Sequence, residues 1–159
     1  MKILCIDTSS KLCGVGIFEN EKLIDKIELN NGLTHSETLM PILKQILEKN
    51  SLVLKDFDLI AVDIGPGSFT GIRIGVATAK AFFDSLTIPC VGIDSLEILA
   101  YQIKEPSIIC SAIDCKNDNC YFALYELRNN EYVILEAPSA KPKQEVTDLL
   151  DSKYSNKEI

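Results

Sequence analysis

The clearest indication of the fold is the run Ile3-Leu4-Cys5-Ile6-Asp7, a short apolar stretch that ends on an acidic residue. Such a run is typical of a buried β-strand. Two further strands are predicted at residues 14–18 and 22–29, and Asn20-Glu21 provides a tight turn between them. The three segments together predict an antiparallel meander at the start of the chain.

A helix is predicted directly after the meander. Thr34 and Glu37 have the spacing of a capping box, with Thr34 as the N-cap. Apolar residues then recur on one broad face at helical spacing, which predicts a helix over residues 36–49. The elements predicted next, in chain order, are a strand at 58–64, a helix at 72–84, a strand at 89–93 and a helix from 95 to about 103.

The strand pattern then starts again. The apolar run Ile108–Asp114 ends in Ile-Asp, as the first run does, and strands at 121–127 and 131–136 and a helix at 142–151 are predicted after it. Strand–strand–strand–helix therefore occurs twice, which predicts an α/β fold made of a duplicated βββαβα unit with an incomplete second copy. This is the plan of the actin-like (ASKHA, RNase H-like) superfamily. The predicted domains are residues 1–104 and 105–159, and a shared fold does not define a function.

Composition and charge exclude several classes of protein. The 159-residue chain is 47% hydrophobic and carries a formal charge of −7. No apolar run is long enough for a bilayer, and the N-terminus does not resemble a signal peptide, so we expect a cytoplasmic protein without membrane contact. Lys and Arg are dispersed rather than clustered, which argues against direct binding of nucleic acid. Any contact with RNA is expected to pass through a partner.

The six cysteines do not form a recognisable metal motif. Cys110, Cys115 and Cys120 are evenly spaced, but no pair has the C-x-x-C spacing and the chain has one histidine. Buried free thiols are the simpler interpretation. We therefore expect no metal site and no cofactor.

A glycine-rich loop, residues 65–71, lies between a predicted strand and a predicted helix, where backbone amides can bind phosphate. Gly65 and Gly71 are six residues apart and Ile72 follows, so the spacing of a Walker loop is not met, and Thr70 stands where a Rossmann loop needs glycine. The favoured interpretation is a tight strand-to-helix connection, with Ser68 or Thr70 as the helix cap.

The helix after this loop is apolar almost all round. Its charged residues Arg73, Lys80 and Asp84 lie in a strip about 40° wide at helical spacing. A helix on a sheet needs one apolar stripe, so a partner subunit is predicted to cover the outer side. Gly71, Gly75 and Ala79 recur every four residues and are expected to let a second helix approach. The alternative is that loops, or the elements missing from the second copy, cover this side.

Several motifs together resemble the TsaB (YeaZ) family. They are Ile6-Asp7-Thr8-Ser9, His35-Ser36-Glu37-x-Leu39-x-Pro41, the eleven residues 65–75, and Val91-Gly92-Ile93-x-Ser95-Leu96-Glu97. The resemblance implies an actin-like fold and a non-catalytic dimerisation or scaffold subunit of the complex that forms N6-threonylcarbamoyladenosine at position 37 of tRNA. It also implies docking to a catalytic TsaD-like subunit, association with a TsaE-like ATPase, and a homodimer when the chain is alone.

In this family the first two helices of the N-terminal domain form the dimerisation surface, here residues 36–49 and 72–84. The interface residues expected from this resemblance and from the apolar second helix are His35, Leu39, Leu43, Ile46, Ile72, Arg73, Gly75, Val76, Ala79 and Phe83. The chain departs from the family at Cys115-Lys116-Asn117-Asp118, where relatives usually have Ala-Arg-Arg-Gly or similar, and it lacks the C-terminal elements.

Two other functions are weighed against this one. Asp7, Thr8 and Ser9 occupy the position of a phosphate loop, which suggests a small-molecule kinase or nucleotide-binding protein. ATP-using relatives of the fold usually have glycine where Ser9 stands, so this loop is interpreted as vestigial. A glycoprotease-like peptidase is less favoured, because His35 is the single histidine and no triad spacing surrounds it.

Overall fold

The computed structural model describes residues 1–30 and 32–154. These residues form two compact units, Met1–Ile93 and a second unit that begins at Asp94. The predicted boundary after residue 104 lies too late in the chain. The helix that follows Ile93 packs against the strands of the second unit, and it therefore belongs to that unit.

The first unit contains five strands and two α-helices. In chain order they are β1 (Lys2–Asp7), β2 (Cys13–Glu19), β3 (Lys22–Leu29), α1 (His35–Lys49), a 3-10 turn (Leu54–Asp56), β4 (Leu59–Asp63), α2 (Phe69–Leu86) and β5 (Cys90–Ile93). The sheet order is β3-β2-β1-β4-β5. Strands β1 to β3 are antiparallel neighbours, and β4 runs parallel to β1 and β5.

The register places the apolar residues of neighbouring strands side by side. Leu4 of β1 pairs with Ile17 of β2 and with Ile60 of β4, and all three are fully buried. Because side chains alternate along a strand, the same side of the sheet also carries Ile6 and its partners. Both α1 and α2 pack on this side, where they complete one apolar core.

The ends of α1 are fixed by hydrogen bonds. Glu37 accepts from the backbone nitrogen of Thr34 at 3.0 Å, which closes the capping box predicted there. At the other end, Asp25 of β3 accepts from Lys49 Nζ at 3.0 Å and from Asn50 Nδ2 at 2.8 Å. These donors, Lys49 first, lower the pKa of the Asp25 carboxyl. The C-terminal end of the helix is thus held to the sheet.

The second unit is a three-stranded sheet with a helix on each face. Its elements are α3 (Ser95–Ala100), β6 (Ile108–Asp114), β7 (Asn119–Arg128), β8 (Glu131–Pro142) and α4 (Lys143–Tyr154). The sheet is antiparallel with β7 in the middle. On one face Ala123 packs with Leu96 and Ala100 of α3, and on the other Phe122 packs with Val146 of α4.

The predicted sequence of elements is confirmed, with shifts at some ends. Two meanders each lead to a helix, and the turns Asn20-Glu21 and Asn129-Asn130 have the positive φ angles of two-residue hairpin turns. Helix α2 starts one turn earlier than predicted, and β8 extends six residues further, to Pro142. All six cysteines are free thiols, and none of the helices in the described ranges is long and apolar enough to cross a membrane.

Candidate docking surface

The glycine-rich loop brings α2 onto the sheet. Gly65 has a φ of 92°, which glycine tolerates best, and its nitrogen donates to Asp63 at 2.7 Å. Ser68 is the helix cap, since its hydroxyl accepts from the nitrogen of Gly71 at 3.3 Å. The loop is therefore the tight connection that its spacing predicts.

The glycines of α2 face the strand β1 and the turn after it. A side chain on Gly71 would overlap the backbone oxygen of Thr8, and an ideal Cβ on Gly75 would lie 2.5 Å from Thr8 Oγ1. Ala79 is 2% exposed and belongs to the same core. The expectation that Gly71, Gly75 and Ala79 let a partner helix approach is therefore wrong, because they allow α2 to approach its own sheet.

The turn after β1 is tied to itself and to α2. Asp7 Oδ1 accepts from the nitrogen of Ser9 at 2.8 Å and from its hydroxyl at 2.7 Å. The Ser9 oxygen accepts from the nitrogen of Ser68 at 2.6 Å, and Thr8 is fully buried. A phosphate at this turn would have to compete with the Asp7 carboxylate for the Ser9 amide, and the carboxylate would repel it. The turn's groups are thus used for internal contacts.

The predicted interface residues of α1 mostly face the core. Leu39, Leu43 and Ile46 are at most 2% exposed and pack with the strands. They form the apolar face of the helix, and that face covers the sheet. His35 is half-buried, and its Nε2 donates to the backbone oxygen of Ser10 at 2.8 Å. This histidine joins the start of α1 to the turn after β1.

The predicted interface residues of α2 that are accessible lie on one side of it. Ile72, Val76 and Phe83, with Phe69, fall within about 60° of one another at helical spacing. Phe83 is 47% exposed and Phe69 is 69% exposed, while Ile72 and Val76 are half-buried. Arg73 is exposed and stacks on the Phe69 ring, with its guanidinium carbon 4.0 Å from the ring centroid.

Sequence reasoning missed an apolar groove beside α1. It has a volume of about 570 Å³, and its accessible apolar lining includes Met40, Leu47, Val53 and Leu86. Met40 and Val53 are 51% and 61% exposed, and Lys44, Glu48 and Lys55 lie at its rim. The sequence does indicate this groove through Met40 and Leu47, two apolar residues that lie beside the buried stripe of α1 rather than in it.

We define the docking surface as two groups of accessible side chains, one on α1 and the segment after it, and the other on one side of α2. Its members are Met40, Leu47, Val53, Phe69, Ile72, Arg73, Val76 and Phe83. Exposed apolar side chains that recur over neighbouring elements are typical of a surface that binds another protein. The residues Leu39, Leu43, Ile46, Gly75 and Ala79 are buried against the sheet and do not belong to it.

The chain is similar to known proteins. The family model described as "TsaD: tRNA N6-adenosine threonylcarbamoyltransferase" matches residues 31–156. The chain is 37% identical over 132 residues to the tRNA threonylcarbamoyladenosine biosynthesis protein TsaB of Buchnera aphidicola subsp. Schizaphis graminum, which covers 80% of this chain and 61% of that protein. It is 34% identical over 130 residues to TsaB of Bacillus subtilis, and this match covers 81% of this chain and 57% of that protein. The chain thus spans about 60% of the length of these relatives.

A solved structure shares the architecture. YeaZ from Pseudomonas aeruginosa superposes with a TM-score of 0.78 at 26% sequence identity, over 89% of this chain and 67% of that one. The fold is therefore of the actin-like kind, and the chain belongs to the TsaB (YeaZ) family.

Proposed function

We propose that this chain is a non-catalytic docking subunit in the formation of threonylcarbamoyladenosine at position 37 of tRNA. The observation that carries the proposal is the docking surface of α1 and α2, on a chain whose relatives are TsaB proteins of this biosynthesis. The occupant of the surface is a catalytic TsaD-like subunit, or a second copy of this chain when it is alone. A TsaE-like ATPase joins the assembly, and tRNA is contacted only indirectly, in the cytoplasm.

The chemistry of the surface supports a protein partner. Phe69, Phe83 and Met40 combine large apolar area with exposure, and aromatic and Met side chains are enriched where proteins bind one another. Arg73 adds a cation already held against an aromatic ring, so little side-chain freedom is left to lose on binding. A net charge of −7 disfavours direct contact with tRNA.

The test is a binding measurement with the TsaD-like subunit of the same organism. Isothermal titration should give a dissociation constant for the native chain, and Phe83→Glu and Met40→Glu should each weaken it by about tenfold or more, because a carboxylate would be buried without a partner. Leu23→Glu is the matched control, since Leu23 is 49% exposed on β3 outside the docking surface. Absence of binding by the native chain, or unchanged binding by both docking variants, would contradict the proposal.

A titration with ATP and Mg²⁺ separates this function from that of a kinase. We expect no binding in the low micromolar range, because Asp7 occupies the amide of Ser9 at the turn. A low-micromolar dissociation constant would favour the kinase over the docking subunit. Analytical ultracentrifugation of the chain alone, with and without the TsaD-like subunit, distinguishes a self-contained homodimer from a chain that exchanges its own copy for the catalytic partner.

A further inference from the structure

Three consecutive residues of the turn after β1 each contact the start of a helix. Thr8 Oγ1 donates to the backbone oxygen of Gly71 in the first turn of α2 at 2.7 Å. The backbone oxygen of Ser9 accepts from the backbone nitrogen of Ser68, which is the N-cap of α2. The backbone oxygen of Ser10 accepts from His35 Nε2 at the start of α1. One turn therefore holds the N-terminal ends of both helices.

Steric contacts act at the same place as these hydrogen bonds. A side chain on Gly67 or Gly71 would overlap the backbone of the turn, and an ideal Cβ on Gly71 would also lie 2.9 Å from the His35 ring. Helix α2 and the loop before it therefore pack against the turn and against His35 without room for an additional atom. Close packing of this kind transmits a small displacement instead of absorbing it.

We propose that the turn of residues 8–10 positions α1 and α2 relative to one another, with Thr8 as the positioning residue. Thr8 is fully buried, so it cannot contact a docked protein. Any effect of its hydroxyl on docking passes through α2, which carries Phe69, Arg73 and Phe83 of the docking surface. The effect on docking rests on the proposed function, whereas the effect on α2 does not.

The test compares three variants of the full chain. Thr8→Val removes the hydroxyl at nearly constant volume, and Thr8→Ser keeps it. Thr38→Val is the matched control, because Thr38 is 3% exposed and its hydroxyl donates to the oxygen of Thr34 within α1, at 2.9 Å, without joining two elements. Both valine variants lose one buried hydrogen bond and are expected to lose similar stability.

Two readouts separate positioning from stability. Thr8→Val should weaken binding of the TsaD-like subunit by about fivefold, and it should speed amide hydrogen exchange in the first two turns of α2 by a similar factor. Thr8→Ser should restore both, and Thr38→Val should change neither, at a temperature where every variant is folded. Equal binding and equal exchange in Thr8→Val and Thr38→Val would overturn the proposal. If the native chain did not bind the TsaD-like subunit, the proposed function would fail, and the exchange comparison alone would decide the role of Thr8.

Discussion

The two segments with the order strand–strand–strand–helix, residues 2–49 and 108–154, reach their helix by different means. In the first segment, α1 buries five side chains of its 15 residues, and the turn after β1 is bonded to both helices. In the second, α4 has 12 residues but buries Val146 alone among them. The strand plan is shared, and the contacts that hold the helix are not.

The turns after the first strand show the same contrast. In the second segment Lys116, Asn117 and Asp118 all have positive φ angles, between 51° and 71°. This turn is joined to α4 by polar contacts at the surface, since Lys143 donates from its backbone to Asp118 and from Nζ to Asp114, at 2.9 and 2.8 Å. A buried hydroxyl and close packing fix a helix more firmly than exposed ion pairs do. The first unit, which contains this segment and α2, is therefore the one suited to present a docking surface.

The strongest way to disturb the contacts between the turn after β1 and α2 is to add a side chain at Gly71. Helix propensity would favour alanine there by about 1 kcal/mol. The new Cβ would, however, overlap the backbone oxygen of Thr8, which cannot move without shifting the helix or the strand. Gly71→Ala is expected to lower the free energy of unfolding by about 4 kcal/mol in urea denaturation followed by circular dichroism.

Gly14→Ala in β2 is the control for that change. An ideal Cβ on Gly14 would lie 3.7 Å from its nearest neighbours, which is ordinary contact. We expect its free energy of unfolding to stay within about 1 kcal/mol of the native value. Similar losses in the two variants would show that α2 does not approach the turn as closely as described.

Truncation of one side chain in each helix measures the difference in burial directly. Leu43 of α1 is 2% exposed, so Leu43→Ala should cost about 3 kcal/mol through lost apolar burial and the cavity that remains. Leu149 of α4 is half-buried, and Leu149→Ala should cost about 1 kcal/mol. The losses in free energy of unfolding are measured from urea midpoints at constant slope. Equal losses in the two variants would contradict the difference in burial between the two helices.

The strands and the existence of the helices could be predicted because their apolar residues alternate or recur at helical spacing. Lys22–Leu29 and Ile108–Asp114 have the predicted ends, and the capping box of Thr34 and Glu37 is present. The start of α2 was missed by one turn. Both Ser68 and Thr70 are acceptable caps, and only the bond from Gly71 to Ser68 distinguishes them.

The orientation of α2 could not be predicted from its own residues. Apolar side chains surround the helix, and a stripe of Gly71, Gly75 and Ala79 suits close approach by a strand as well as by a helix. The deciding contact is with Thr8, which is distant in sequence. For the same reason, the partner of Leu39 and its neighbours on α1 could not be predicted. An apolar stripe does not reveal whether it packs on the protein's own sheet or on another protein.

The smallest expected effect is on the pH dependence of stability, where one carboxylate in each segment can be compared. Hydrogen bonds from Lys49 and Asn50 lower the pKa of Asp25, and a hydrogen bond from Lys143 lowers that of Asp114. A carboxyl whose pKa is lowered by folding stabilises the fold above its unfolded pKa of about 3.9, and this contribution is lost as the pH falls through the lower, folded value. Acid should therefore destabilise the native chain below about pH 4.

Asp25→Asn and Asp114→Asn should each make stability less dependent on pH in that range, and the urea midpoints at pH 3 and pH 7 measure this. Asp25 has donors from two side chains and Asp114 from one, so we expect the larger change from Asp25→Asn. The Asp114 side chain is 67% exposed and that of Asp25 is 14% exposed, so 0.5 M NaCl should reduce the effect of Asp114→Asn more than that of Asp25→Asn. A larger change from Asp114→Asn would mean that the surface ion pair of the second segment holds its helix better than its exposure implies.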